Sequence, residues 1–249
     1  MNLKDATPPI TSRLEQRLAL EYGAVFLTRA VPPPKIIFSD DGEVVSFQAS
    51  LKTGRHQFGP HEIELQSPAM EALLAGADQA RSAGLTITPR SADSGRRSYE
   101  QTLDLWTRNV MRGLAHWLEA ERINQAEANR IRALETSPQV EAVLELEDSR
   151  QVYLGTFFDK SILYSVAAPG ASQHLSMLAF DVTEFQDERV ERILAAHGWY
   201  RTVLSDLPHF TYLGFDEHAL QESGLVLSVL KYNNHTYRFW LPSPDLLKC

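Results

Sequence analysis

The sequence contains one cysteine, Cys249, at its last position, so no disulfide can form within the chain and no cysteine-based zinc site is possible. No apolar run approaches the roughly 20 residues that a membrane-spanning helix needs. Positive charge is not in excess either, because 24 Lys and Arg against 32 Asp and Glu give a formal net charge of −8. This balance argues against a nucleic acid or an anionic membrane surface as the main partner.

The first residues, Met1–Asp5, lack the apolar core of a secretory signal peptide. The sequence therefore predicts either a cytoplasmic protein or a periplasmic or cell-envelope protein from which a signal peptide has been trimmed. The absence of disulfides is compatible with both compartments.

The chain has 249 residues, of which 43% are hydrophobic and 22% are charged, so it can bury enough surface to fold. Composition and turn residues divide it into an N-terminal extension or strand-rich subdomain over residues 1–66 and a main domain over residues 67–249. Within the first part, Ile36–Val45 reads as a hairpin whose tip is Asp40-Asp41-Gly42.

Helices and strands are expected in clusters rather than in strict alternation, which indicates an α+β fold. Capping-box patterns at Ser12/Glu15 and Ser98/Gln101 predict two helix starts. Further helices are expected over 67–83, 124–135, 137–146 and 188–197, and strands over 85–88, 152–158, 178–182 and 209–213, with a hairpin over 226–241.

His174, Asp181 and His209 are the residues most suited to chemistry. Two neutral imidazoles and one carboxylate are suitable zinc ligands, and three protein ligands leave the fourth position that a hydrolytic zinc site needs. Asp181 lies in an apolar strand, where a buried lone carboxylate costs several kcal/mol. Either a metal or a salt bridge to an arginine would offset this cost, and spacing alone does not choose between them.

Three local sequences, in order along the chain, resemble the motifs of one family. Ser172–Asp181 resembles the S-x-H-x-x-G-x-A-x-D motif of VanY-type zinc D-Ala-D-Ala carboxypeptidases, a family that includes the VanX dipeptidases. Asp206–Gly214 resembles its E-x-x-H-F-x-Y-x-G sequence, and Ser94–Gln101 resembles its S-G-Y-R-S-x-x-x-Q segment. The resemblance implies a D-Ala-D-Ala-peptidase-like (Hedgehog-like) fold, a small antiparallel sheet flanked by helices, with a helical insertion near 120–147.

Transferred position by position, the resemblance implies that one zinc ion per chain binds to His174, Asp181 and His209. Asp206 falls where the family has its catalytic glutamate, which takes a proton from the metal-activated water and passes it to the leaving amine. Arg97 matches the arginine that holds substrate and stabilises charge on the scissile carbonyl oxygen. The remaining two positions, Ser172 and Gln101, line the substrate pocket in relatives.

The sequence departs from the family pattern at several positions. Asp206 replaces a glutamate, and its shorter side chain sets the carboxylate back by about 1.5 Å, when a misplacement of about 1 Å can lower a rate by about 100-fold. Met177 replaces the motif glycine, so we expect a backbone without unusual φ there or a crowded site. Arg96 stands where relatives have tyrosine and is expected to face solvent.

The resemblance therefore predicts a zinc carboxypeptidase that removes the terminal D-Ala of peptidoglycan stem peptides or precursors. Two alternatives remain open at this point. One is a peptidoglycan endopeptidase of the same fold, and the other is a non-catalytic, metal-stabilised module that binds peptide or cell wall.

Overall fold

The computed structural model describes residues 2–245, so Cys249 lies outside the described residues. The described helices are α1 (Leu3–Ala6), α2 (Arg13–Tyr22), α3 (Asp41–Ala49), α4 (Ser67–Ser82), α5 (Tyr99–Glu119), α6 (Gln125–Arg132), α7 (Thr136–Arg150), α8 (Glu188–Ala196) and α9 (Glu217–Glu222). The strands are β1 (Thr53–Phe58), β2 (His61–Gln66), β3 (Ala179–Asp181), β4 (Trp199–Tyr200), β5 (His209–Tyr212), β6 (Leu225–Tyr232) and β7 (His235–Pro242). This mixture of helices and small antiparallel sheets confirms the α+β class.

The central sheet is antiparallel, with strand order β3-β5-β4. Its register places Asp181 directly opposite His209. Phe180 and Phe210, which are also paired, have no exposed surface and belong to the main hydrophobic core. Because side chains alternate between the two faces of a strand, the core pair anchors one face and the Asp181–His209 pair falls on the other.

Local capping signals were reliable guides to helix starts. Ser12 and Glu15 form a reciprocal capping box at the start of α2, and Ser98 and Gln101 form another at the start of α5. At the start of α6, the Asn124 side chain accepts a hydrogen bond from the backbone N–H of Glu127 at 2.9 Å. The predicted starts of these three helices are confirmed. No described helix combines the length and apolar character needed to cross a membrane.

The hairpin predicted over Ile36–Val45 is wrong. Asp40 caps helix α3 instead, its carboxylate accepting the backbone N–H of Glu43 at 2.9 Å. An aspartate favours a helix N-cap as strongly as a turn, and acidic residues in the first turn are stabilised by the helix dipole. The hairpin of this region lies later, in β1 and β2. The predicted C-terminal hairpin is confirmed, with Asn233 and Asn234 at φ 48° and 63° in its turn.

Two predicted strands do not form. Residues 85–88 have no regular structure: the backbone N–H of Thr88 donates to the side chain of Glu184 at 2.8 Å, and pairing with the chain after β3 is limited to the isolated bridge between Pro89 and Val182. Residues 152–154 have no regular structure and residues 155–158 form a turn, with Phe158 in the left-handed region at φ 58°. Apolar, β-branched sequence alone does not make a strand, because a strand also needs a run of backbone hydrogen bonds to a neighbouring segment.

The first 66 residues are not strand-rich, contrary to expectation. Apart from β1 and β2 the regular structure here is helical, and Leu3, Leu18 and Phe26 join the same core as Phe180. The segment therefore packs into the body of the protein. Farther along the chain, α6 and α7 occupy the region where a helical insertion is predicted.

Candidate metal centre

The fold brings together the three predicted ligands from separate parts of the chain. His174 lies in a single 3₁₀ turn, Asp181 ends β3 and His209 begins β5. One ligand atom from each residue lies within 4.8 Å of the others. Both imidazoles are buried, whereas Asp181 is partly buried. The structure thus shows a His/Asp/His group that could hold a metal ion.

The surroundings of His174 determine which ring nitrogen carries its proton. Nδ1 lies 2.8 Å from the backbone carbonyl of Gly95, which only accepts, so Nδ1 donates a hydrogen bond. Nε2 of the neutral ring then has a lone pair, and it is buried without a hydrogen-bond partner among the described residues. Burial lowers the pKa of His174, an effect that Asp181 opposes, and this favours the neutral form.

Gly95 is suited to this contact because its backbone packs very closely against β2. A Cβ atom at this position would lie 2.8 Å from Cγ2 of Ile63. A side chain here would therefore push the segment away from Ile63 and move the carbonyl that orients His174.

His209 is oriented in the opposite sense. Its Nε2 lies 2.8 Å from Oε1 of Gln173. The Gln173 amide nitrogen donates to the Tyr22 carbonyl at 2.7 Å, so its oxygen is the atom that faces His209. His209 therefore donates from Nε2, and the lone pair of its neutral ring lies on Nδ1.

Asp181 has the arginine partner that the sequence allowed, and it also faces both histidines. Its Oδ2 accepts a hydrogen bond from the Arg97 guanidinium at 2.8 Å in a largely buried ion pair. Its Oδ1 lies 3.3 Å from His174 Nε2 and 3.3 Å from His209 Nδ1. Burial raises the pKa of Asp181, but the positive charge that a proton on His174 or His209 brings outweighs burial and holds that pKa well below its ordinary range.

These three ligand atoms fit a zinc ion. Two imidazole lone pairs face a carboxylate oxygen, an arrangement that is repulsive unless a proton or a cation lies between them. Zinc bonds of about 2.0–2.1 Å at tetrahedral angles separate neighbouring ligands by about 3.3 Å, which matches the two separations of 3.3 Å observed here. Nitrogen and oxygen donors with fixed outer hydrogen bonds are typical of zinc centres.

A cavity of about 230 Å³ opens beside this group. Its wall includes both histidines, Arg97, Ser172 and Asp206. Asp206 lies in the turn before β5, where its backbone carbonyl accepts the N–H of His209 at 3.2 Å. Asp206 is an exposed residue, yet desolvation of its carboxylate by the surrounding protein raises the pKa of that group. A carboxylate with a raised pKa in a pocket is suited to exchanging a proton.

Two residues predicted to contact substrate are engaged elsewhere. Arg97 lines the cavity, but its NH2 group is paired with Asp181, and its Nε donates to the Asp93 carbonyl at 3.1 Å. Gln101 is exposed, does not line the cavity, and caps the N–H of Ser98 at 2.8 Å. Ser172, in contrast, is buried in the cavity wall.

Arg96 and Met177 also differ from expectation. Arg96 is half-exposed but not free in solvent, because it donates to Glu64 at 3.0 Å and to Gln48 at 2.8 Å. Met177 is buried and adopts φ 58°, the left-handed conformation that the motif glycine would adopt without strain. The expectation of an ordinary backbone there was wrong.

Buried glutamines that the sequence analysis missed hold the loop that carries His174. Gln48 donates to the carbonyls of Arg97 and Leu175 at 2.9 and 3.0 Å, and Gln66 donates to Ser176 at 2.8 Å. Neither glutamine has a sequence signal, because their partners lie far away in the chain. Gln173 does have one, since it lies between two residues of the resembled motif.

Comparison with known proteins gave a likeness among solved structures. No family model matches the chain, and no curated protein matches it. Among solved structures, the chain is similar to the crystal structure of a mutant of the vancomycin-resistance D,D-pentapeptidase VanY, from a VanB-type resistance cassette, in complex with Zn(II). The two chains are 18% identical with a TM-score of 0.38, over 67% of this chain and 82% of the other. This is a distant likeness.

Proposed function

We propose that this chain is a zinc peptidase of the D-Ala-D-Ala-peptidase-like fold, binding one zinc ion through His174, Asp181 and His209. The observation that carries the proposal is the convergence of two imidazole lone pairs on a carboxylate oxygen beside a cavity. The finer assignment, hydrolysis of the terminal peptide bond of stem peptides that end in D-Ala-D-Ala, is supported by the three motif-like sequences.

Zinc held by these three residues would act as a Lewis acid and would lower the pKa of a bound water from about 15.7 towards about 7. In this chain the Asp206 carboxylate accepts the proton of the attacking water and delivers it to the leaving amine. The pKa of Asp206, raised by desolvation, makes the carboxylate a stronger base than an ordinary aspartate. Arg97 keeps Asp181 aligned through its 2.8 Å hydrogen bond.

The turn that carries Asp206 is firmly held, which compensates in part for the short side chain. Buried Arg201 donates from Nε to the carbonyl of Leu207 at 2.7 Å, and the N–H of Asp206 donates to Val203 at 3.2 Å. A rigid turn can bring an aspartate to a position that a glutamate would otherwise reach by its extra methylene.

The test is release of D-Ala from an acetylated Lys-D-Ala-D-Ala peptide by zinc-loaded and metal-free protein. Asp206→Asn should lower kcat by about 100- to 10,000-fold while zinc stays bound, because only proton transfer is removed. Ser205→Ala, in the same cavity wall, is the matched control and should stay close to the wild-type rate. Unchanged activity in Asp206→Asn would refute the proton-transfer role. Zinc binding without any hydrolysis would favour the non-catalytic binding module.

An endopeptidase acting within the stem peptide is the second candidate. It is favoured by the state of Arg97, since a carboxypeptidase needs a cation for the terminal carboxylate of its substrate. This guanidinium already contacts Asp181 at 2.8 Å and lies 3.6 Å from the Asp93 carboxylate. Amidating the C-terminus of the test peptide separates the candidates: a carboxypeptidase loses most of its kcat/KM, whereas an endopeptidase does not.

A further inference from the structure

Gln173 is a buried side chain whose amide is fully engaged at the edge of the metal centre. It is 3% exposed. Its Oε1 accepts hydrogen bonds from His209 Nε2 at 2.8 Å and from the Thr211 hydroxyl at 2.5 Å. Its Nε2 donates to the backbone carbonyl of Tyr22 at 2.7 Å. The amide therefore connects a proposed metal ligand to the N-terminal part of the chain.

The Tyr22 carbonyl determines which end of the amide meets His209. A backbone carbonyl can only accept hydrogen bonds, so it selects the NH₂ end of Gln173 and turns the oxygen towards the imidazole. Tyr22 is the last residue of α2, and the last carbonyls of a helix lack partners within that helix. The end of α2 thus supplies a polar group that Gln173 satisfies.

We propose that Gln173 is a positioning residue for the metal centre, which keeps the His209 proton on Nε2 and so keeps the Nδ1 lone pair directed at Asp181. The Tyr22 carbonyl in turn holds Gln173, which makes the N-terminal segment a structural part of the centre rather than a separable extension. This inference rests on the proposed function only in its statement that a metal binds to the Nδ1 lone pair.

Loss of the Gln173 side-chain oxygen would change the tautomer of His209. The remaining acceptor close to the ring is Asp181, whose Oδ1 lies 3.3 Å from Nδ1. A neutral His209 would then carry its proton on Nδ1 and donate a hydrogen bond from Nδ1 to Asp181. Nδ1 would then have no free lone pair for zinc. Removing the outer hydrogen-bond partner of a metal-binding histidine typically lowers metal affinity by about 10- to 100-fold.

Three variants separate this role from simple packing. Gln173→Met keeps the length of the side chain but removes both amide functions, whereas Gln173→Glu keeps an acceptor for His209. Gln66→Met is the matched control. Gln66, the last residue of β2, is also a buried amide that bonds to this loop: it is 1% exposed and donates to the Ser176 carbonyl at 2.8 Å, but its described bonds do not include His209.

The experiment combines ¹⁵N NMR of the histidine rings in metal-free protein with zinc affinity measured by competition against a chromophoric chelator. The spectra are taken near pH 8, where an ordinary imidazole with pKa about 6.5 is neutral. We expect the proton on Nε2 of His209 in wild type, Gln173→Glu and Gln66→Met. In Gln173→Met we expect it on Nδ1, with zinc affinity about 10- to 100-fold lower.

A wild-type spectrum with the His209 proton on Nδ1 overturns the inference without any variant, so the test survives even if Gln173→Met does not fold. A folded Gln173→Met with the wild-type tautomer and zinc affinity also overturns it. Failure of wild type to bind zinc would refute the proposed function instead, while the metal-free spectra would still decide the role of Gln173.

Discussion

Two buried charged clusters flank the central sheet, and they differ in how completely their polar atoms are satisfied. Around Arg201, whose side chain has no exposed surface, Glu191 pairs with NH1 and two backbone carbonyls accept from Nε and NH2. The guanidinium also stacks 4.4 Å above the ring of Phe210. Around Asp181, by contrast, two imidazole lone pairs face the carboxylate, and Nε2 of His174 has no partner among the described residues.

This difference in hydrogen bonding indicates that Arg201 has a structural role, whereas the cluster around Asp181 is suited to binding a ligand. A cluster such as that of Arg201 gains nothing from a further cation, because each of the three guanidinium nitrogens already donates to an acceptor. A cluster of converging lone pairs is under-satisfied, and burial makes that condition costly. A cation removes the cost, so the second cluster is the one that binds metal in our account.

The largest expected effect is a loss of stability when the cluster around Arg201 is broken. Arg201→Met leaves Glu191 and two carbonyls without their partner, and breaking a buried ion pair in this way costs about 3–5 kcal/mol of unfolding free energy. Urea denaturation of metal-free protein measures the loss. Zinc stoichiometry in the folded fraction should stay at one per chain, and a stability loss below about 1 kcal/mol would contradict the comparison.

Next in size is the loss of a ligand from the unsaturated cluster. His174→Ala should weaken zinc binding by at least about 100-fold, since each ligand of a zinc site contributes about 3 kcal/mol of the 10–16 kcal/mol total. In metal-free protein the same change should lower the unfolding free energy by less than Arg201→Met does. Calorimetric zinc titration and urea denaturation check the two statements, and equal zinc affinity in wild type and variant would contradict the first.

A smaller effect is expected from the arginine that aligns the carboxylate. Arg97→Met should lower zinc affinity by about 10- to 100-fold, the usual effect of removing an outer partner of a metal ligand. Arg192→Met is the control, because Arg192 is an exposed residue of α8 whose ion pair is with Glu188 on the same helix. It should leave zinc affinity unchanged and cost at most about 1 kcal/mol of stability. Equal losses of affinity in the two variants would show that Arg97 has no special role.

The smallest expected effect is a dependence of the stability of the metal-free protein on pH. The pKa of His174 is lowered by burial, so below about pH 6.5 the unfolded chain binds a proton that the folded chain resists. Stability should therefore fall as pH falls below 6.5, by up to about 1.4 kcal/mol per pH unit from this one group. Urea denaturation at pH 7 and 5.5 should show a steeper loss in wild type than in His174→Ala. Parallel losses would exclude His174 as the cause.

The sequence predicted helix starts and turns correctly where these depend on contacts between residues close together in the chain. The capping boxes that begin α2 and α5, and the asparagine turn between β6 and β7, depend on residues at most a few positions apart. The same logic failed at Asp40, because an aspartate suits a turn and a helix N-cap equally well, and the choice depends on what the following residues pack against.

The candidate metal centre could be predicted only in part from the sequence, because its deciding contacts join residues that are far apart in the chain. His174, Asp181 and His209 were selected by their resemblance to motifs, since spacing alone did not require them to meet. The partners that define their chemistry are distant: Arg97 is 84 positions from Asp181 in the sequence, and Tyr22 is 151 positions from Gln173. No periodicity or capping rule reports such hydrogen bonds, so they become visible only in the folded chain.

The most direct test of the account is a crystal structure of the zinc-loaded protein with anomalous diffraction recorded at the zinc edge. We predict one zinc ion, about 2.0–2.2 Å from His174 Nε2, His209 Nδ1 and one oxygen of Asp181, with a coordination position open to the cavity. Zinc bound elsewhere, a fourth protein ligand closing that position, or the three side chains without bound metal at saturating zinc would contradict it.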